Sequence, residues 1–226
     1  MSIKKCIKSF FKSIKNIRFY IYIHNLINNK FKINKKCKFI VDKSILSNCY
    51  INVRGKNNTV EIKNNCVLNN LKIDIYGEDI YVLINENVVA NSLHIWCEDK
   101  NSGVIIGKGT TFHGQTKLSC IEGTQIKIGC DCMFSSNIDI VTGDSHSILD
   151  MSGKRINPSK SIVIEDHVWV GQKNTILKGA HISKNSIIGA GSFVSKRFDK
   201  ENAIIAGVPA KIIKEEISWD RKRIDM

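Results

Sequence analysis

The chain has 226 residues, 42% of them hydrophobic, enough for one domain with a continuous core and small additions at either end. Its two prolines, Pro158 and Pro209, and the lack of a long polar run exclude a proline-rich linker or a disordered spacer. The formal charge of +13 sits mostly in residues 1–50, which hold twelve Lys/Arg against a single acid, Asp42; an anionic partner such as membrane headgroups or a charged glycan competes with a solvated lysine surface, and the motifs of nucleic-acid readers are missing, so no nucleic acid is expected.

Residues 1–30 place Ile3, Ile7, Phe10, Ile14, Ile17 and Ile21 at alternating four- and three-residue steps, with Lys4, Lys5, Lys8, Lys12 and Lys15 off that stripe. This spacing predicts a basic amphipathic helix. Lysines interrupt it too often for a signal-peptide core or a membrane span, so it is expected to be neither an export signal nor an integral anchor. Its apolar face either packs on protein, the usual case, or lies peripherally against a membrane. Eight scattered cysteines without a CxxC pair favour a reducing compartment, so the expected location is the cytoplasm, with contact at the inner face of the cytoplasmic membrane as the alternative.

From about residue 31 to 100, segments such as NTVEIKNNCVLNN and SLHIWCEDK carry β-branched residues and Asn corners without a regular period. A six-residue step then emerges as Ile106, Phe112 and Leu118, and again as Ile128, Phe134 and Ile140, with a shift at Glu122 to Gln125 that suggests an extra loop. Cys130 and Cys132 form a C-x-C on alternating, same-face positions; with no second half-site, no metal is expected there. From 162 to 197 the step is unbroken: Ile164, Val170, Ile176, Ile182, Ile188 and Val194, each preceded two residues earlier by Ile162, Val168, Asn174, Ala180, Ser186 or Ser192.

That period belongs to neither a helix nor a single strand. Short strands separated by corners, each contributing one inward aliphatic, account for it, and three sides make one coil of a triangular solenoid. The repeats are expected to span 31–212, with residues 1–30 as the helix and 213–226 as a short helical cap.

The blocks IVIEDHVWVGQKNTILKGAHISKNSIIGAGSFVSK and AIIAGVPAKIIK resemble the hexapeptide-repeat acyltransferases, and CMFSSNIDIVTGDSHSILD with GKRINPSKSIVI resembles bacterial capsule and lipooligosaccharide O-acetyltransferases, including those that modify sialic acid. The resemblance covers roughly residues 102–220. It implies an all-β, left-handed parallel β-helix that forms homotrimers, with acetyl-CoA as co-substrate in the groove between adjacent chains and a glycan hydroxyl as acceptor.

It also implies site residues. His146 in TGDSHSILD matches the catalytic histidine; it stands eighteen residues before Ile164, which read as one coil, and histidine titrates in the range a general base needs. Asp144 is the candidate to orient its ring. Asn137 matches an acceptor-facing position, although a corner asparagine is the plain alternative. Trp169, between inward Val168 and Val170, should point outward and pack on the acceptor or the pantetheine arm. Gly189, Ala190 and Gly191 would admit pantetheine close to the backbone, and Lys196, Arg197 and Lys211 would meet the CoA phosphates.

Three readings compete with O-acetylation of a surface glycan. One is N-acetylation of a nucleotide-linked amino sugar, one a non-catalytic scaffold for glycan assembly. The third is a zinc carbonic anhydrase of the same fold using His113, His146, His167 and His181, whose spacing does not resemble that family.

Overall fold

A computed structural model describes residues 28–222. The expected amphipathic helix of residues 1–30 falls almost wholly outside the described residues, as do residues 223–226; within the described part of that range, Lys30 already opens the first strand.

The described chain winds into eight coils, each laying one strand on each of three parallel sheets. The sheets are named here the first, second and third faces in the order the chain visits them. The sixth coil, for example, uses Ile138–Val141, Ile162–Ile164 and Trp169–Val170. Inward positions stack into ladders. On the first face these are Ile51, Ile73, Ile95, Leu118, Ile140, Ile176 and Val194; on the third, Leu68, Ala90, Phe112, Phe134, Val170, Ile188 and Ile205, all essentially inaccessible. Both expected series, Ile164 to Val194 and Ile162 to Ser192, are buried. Each fully buried aliphatic contributes roughly 1.5–3 kcal/mol, and the rings of Phe112 and Phe134 stack at 4.7 Å.

Corners need a left-handed residue, and asparagine, aspartate and glycine supply most of them. Between the second and third faces the column reads Asn65, Asn87, Gly109, Asp131, His167, Asn185 and Asn202, all at positive φ.

Two coil widths coexist. Tyr50 pairs with Lys72 and Thr116 with Ile138, steps of 22 residues, whereas Thr175 pairs with Phe193, a step of 18. The wide coils carry long first-face strands, such as Lys72–Glu78 and Leu93–Lys100, where the narrow ones carry Thr175–Leu177. The shift at Glu122 to Gln125 is therefore the corner of a wide coil rather than an extra loop. The true insertion lies later: Asp139 pairs with Thr175, a step of 36, because residues 142–161 leave the prism.

The helical cap expected at 213–226 is not a helix in its described part. The chain reverses at Val208–Pro209, and Ala210–Lys214 pairs antiparallel with Ile204–Gly207. The free backbone of the last coil and the β-branched pair Ile212–Ile213 favour a strand there. Strands thus run from Lys30 to Lys214, and residues 215–222 continue without regular structure.

Candidate functional site

Residues 142–161 lack the apolar six-residue rhythm and leave the solenoid at the corner between the first and second faces. Their tip is a small turn in which the Asp150 carboxylate accepts from the backbone N–H groups of Ser152 at 2.9 Å and Lys154 at 3.0 Å. Their base rests on Glu122, from the last wide coil, which accepts from Arg155 at 2.9 Å and from Ser159 at 2.7 Å. Asn157, only 8% exposed, ties the interior together. Its Nδ2 donates to Asp144 Oδ2 at 2.7 Å and to the His146 carbonyl at 2.9 Å, and its Oδ1 accepts from the Ile148 N–H at 2.7 Å.

His146 is exposed on this loop. Its distance of eighteen residues from Ile164 is not one coil, since the loop stands outside the repeat. Its backbone is held by Asn157, and its ring finds no hydrogen-bond partner among the described residues. Asp144 does not orient that ring: its carboxylate is engaged by Lys178 Nζ and by Asn157. Lys178 first, and Asn157 second, hold the Asp144 carboxyl below the usual carboxylate range.

Beneath the loop a cavity of about 470 Å³ opens at the same corner, lined by Lys160, Lys178, His181, Lys196 and Arg197 with no carboxylate in its wall. The expected pair Lys196 and Arg197 is thereby joined to Lys178, which grips Asp144, and to Lys160 at the end of the His146 loop. Arg197 is partly neutralised by Asp199 at 2.8 Å. Lys160 and Lys178 carried no sequence signal, because only the fold brings the loop base over the seventh coil.

The other expected residues gather on the third face. Trp169 points outward and is 38% exposed between buried Val168 and Val170, as its position implied. Beside it Gly171, Gly189 and Ala206 continue the paired strands as a strip of small residues, and Lys211 pairs with Ala206 at its end. A methyl group on Gly171 would meet Ala190 N at 2.8 Å, so the coils close tightly here only because the side chain is absent. Gly191 and Asn137 occupy left-handed corners between the third and first faces, φ 69° and 57°. Asn137 has the conformation of a corner asparagine and also lines a shallow cavity of about 410 Å³ with His94, Gln115 and Lys117.

His146, Asp144, Lys196 and Arg197 thus occupy one corner of the prism, while Trp169, Gly189, Ala190 and Lys211 occupy the face opposite that corner and Asn137 and Gly191 its edge with the first face. One chain does not bring the two groups together.

Two of the four histidines named for zinc are otherwise engaged: His181 meets Glu165 and Asp199, both at 2.8 Å, and His167 meets Asp131 at 2.7 Å. Cys130 is exposed and Cys132 buried, so they do not share a face, and burial pushes the Cys132 thiol up to about 12. The seven described cysteines are all free thiols.

Sequence reasoning missed the C-terminal segment at this site. Residues 217–222 fold back over the corner between the second and third faces, and Trp219 stacks on His167 at 4.0 Å and 9°. A tryptophan isolated among charges, in ISWDRKR, was the available signal.

No family model matches the chain. Among curated proteins, the polysialic acid O-acetyltransferase of Escherichia coli O1:K1 / APEC is 37% identical over 123 residues, covering 54% of this chain and 39% of that protein. The chain spans about two-fifths to one-half of the length of the first curated relatives it matches. Among solved structures, the polysialic acid O-acetyltransferase OatWY superimposes with a TM-score of 0.70 at 35% identity, covering 88% of this chain and 90% of that one. The polySia-specific acetyltransferase NeuO gives a TM-score of 0.76 at 31% identity, covering 85% and 83%.

Proposed function

The chain belongs to the hexapeptide-repeat acyltransferases, and on that premise we propose that it transfers acetyl from acetyl-CoA to a hydroxyl of a bacterial surface glycan, with His146 as general base and sialic acid as the leading acceptor. The observation that carries this reading is the extruded loop 142–161. It presents His146 with a held backbone and a ring without a hydrogen-bond partner among the described residues, and its end, at Lys160, lines a cavity walled by cations.

In the proposed reaction the neutral imidazole of His146 takes the proton from the sugar hydroxyl as its oxygen attacks the thioester carbonyl. The tetrahedral intermediate collapses with departure of the CoA thiolate, which takes up the proton from the imidazolium. The strip formed by Gly171, Gly189 and Ala206 suits an extended pantetheine arm, Trp169 forms one side of that strip, and Lys211 closes its end. Lys160, Lys178, Lys196 and Arg197 suit the phosphates. Asp144 acts on the loop through Lys178 and Asn157, not on the imidazole.

The two halves lie at a corner and on the face opposite it, which supports a site completed between copies, with a homotrimer as the assembly. An outward apolar stripe on the third face, with Val67, Val89 and Trp169 each 38–44% exposed, supplies a surface for such contact. The loop adds exposed Ile148, Leu149 and Ile156. We place the reaction in the cytoplasm, before export of the glycan; the basic segment 1–30 is offered as a peripheral membrane contact.

The test is CoA release from acetyl-CoA over sialylated oligosaccharides, neutral capsular fragments and nucleotide-linked amino sugars, with wild type beside His146→Ala. Loss of a general base costs about 10²–10⁴-fold, so turnover should nearly vanish in the variant while CoA affinity is kept. Equal rates would remove His146 as base. Turnover with a nucleotide-linked amino sugar alone would make the enzyme an N-acetyltransferase.

A further inference from the structure

Residues 215–222 have no role as an end cap, since Ala210–Lys214 already covers the last coil. They run the other way, back along the corner between the second and third faces. Ile217 exchanges two hydrogen bonds with Asn202, N–H to O at 3.0 Å and Nδ2 to O at 3.1 Å. Trp219 then stacks on His167, its Nε1 donating to the His167 carbonyl at 3.0 Å while its own carbonyl lies 3.2 Å from His167 Nε2. Arg221 reaches two further coils. Its Nε donates to Asp131 Oδ1 at 2.7 Å, and its terminal nitrogens donate to Thr111 Oγ1 at 2.9 Å and the Cys132 carbonyl at 2.7 Å. Asp131 closes the circuit by bonding His167 Nδ1 through its other oxygen at 2.7 Å.

This binding is specific. Fixing a backbone segment costs conformational entropy, and this segment offsets that with a buried indole and a guanidinium that is satisfied from two coils. What it meets on the third face is the ring of Trp169, 6.0 Å from Trp219 at 46°. Trp169 stands two residues from His167 and beside the small-residue strip, and its indole has no other ring contact among the described residues.

We propose that residues 217–222 are a clasp that positions Trp169, with Trp219 and His167 as positioning residues that hold the indole against the strip where the acyl donor's pantetheine arm lies. The proposal rests on the transferase reading for its ligand, but not for the clasp itself. Arg221 is the bolt: it makes no hydrogen bond or ring contact with Trp169 or the strip, and it fixes the segment to Asp131, which in turn holds His167.

If Trp169 were released, the donor would have to order a freely rotating indole on binding, a cost that corresponds to a threefold to tenfold loss of affinity, roughly. Two indoles at this separation also produce an exciton couplet in circular dichroism, which reports the clasp without any ligand. The experiment compares wild type, Arg221→Ala, Trp219→Phe and Trp219→Ala by that couplet, by calorimetric CoA affinity and by the KM and kcat for acetyl-CoA.

Arg221→Ala should flatten the couplet and raise both the CoA dissociation constant and KM threefold to tenfold, with kcat changed less than twofold. Trp219→Phe keeps a ring over His167 and should recover most of the affinity that Trp219→Ala loses. A folded Arg221→Ala protein with the wild-type couplet and affinity would overturn the clasp, as would equal losses in Trp219→Phe and Trp219→Ala. Wild type that binds no CoA would sink the transferase reading, and the positioning role with it, even while a couplet lost in Arg221→Ala still showed the clasp to exist.

Discussion

Replacing Asn157 with alanine should loosen the His146 loop without unfolding the solenoid. Four bonds disappear: charge-assisted ones to Asp144 and from Arg155, one to the His146 carbonyl and one from the Ile148 N–H. A neutral bond contributes about 0.5–1.5 kcal/mol net and one to a charged group about 1.5–3. Asp144 keeps Lys178, and water can replace part of the rest, so about 2–4 kcal/mol of loop stability should go. Each 1.4 kcal/mol is tenfold in an equilibrium, so amide exchange at residues 144–157 should accelerate roughly 30- to 1,000-fold. The melting temperature should change little, because Ile148, Leu149, Met151 and Ile156 are exposed and the loop contributes almost nothing to the core. Turnover should fall while CoA affinity holds. Asn157→Asp keeps the acceptor for Ile148 but sets a carboxylate against Asp144, so it should loosen the loop as well. Wild-type exchange rates across 144–157 in Asn157→Ala would refute the reasoning.

Phe134→Ala removes one ring of the stacked core pair and should cost about 3–5 kcal/mol, a drop in melting temperature of roughly 6–20 °C for a chain of this size; a shift of a degree or two would mean that the coils collapse around the void. The loop should also loosen in acid. Lys178 and Asn157 lower the Asp144 carboxyl, and Arg155 and Ser159 lower that of Glu122. Because both folded values lie below the unfolded ones, their stabilisation is fully present above the ordinary carboxylate range, about pH 4–5, and is lost as pH falls through the folded values. Exchange in 144–157, corrected for intrinsic rate, should be flat from pH 8 to 6 and rise toward pH 3; a flat profile throughout would contradict these ion pairs.

The narrow half of the solenoid was legible because its coils hold eighteen residues, three sides of six, and an inward aliphatic on every side imprints the period directly. The wide half follows the same architecture, yet its first face spends four more residues per turn, which breaks the step of six while leaving Ile51, Ile73 and Ile95 in one buried ladder. The same cause produced the false loop at Glu122 and hid the real one at 142–161. His146 is proposed through its motif; its apparent coil spacing is coincidence. Trp169 could be placed because alternation on a short strand fixes its direction. Asp144 could not, since two residues of separation in a loop leave its partner open, and the partner, Lys178, lies a coil away. The tail was misread as a helix because its sequence carries no trace of the corner column it lies on.

The junction between the two widths explains where the proposed site sits. Coils of unequal perimeter cannot stack flush, so the last wide coil overhangs the first narrow one at the corner between the first and second faces. Ile121 and Glu122 form that ledge. Ile121 is 4% exposed and lies close against Gly143 as the chain leaves the prism, and Glu122 receives Arg155 and Ser159 as it returns. An insertion in the middle of equal coils would have to find its own support, and a twenty-residue loop with four exposed apolar side chains has little. At the step it has a shelf above and, below, the shorter narrow coils, which leave open the cavity lined by Lys160, Lys178, Lys196 and Arg197. The change of width, the extruded loop and the cation-lined cavity are therefore one feature of the fold, and His146 stands where it does because the perimeter of the coil changes there.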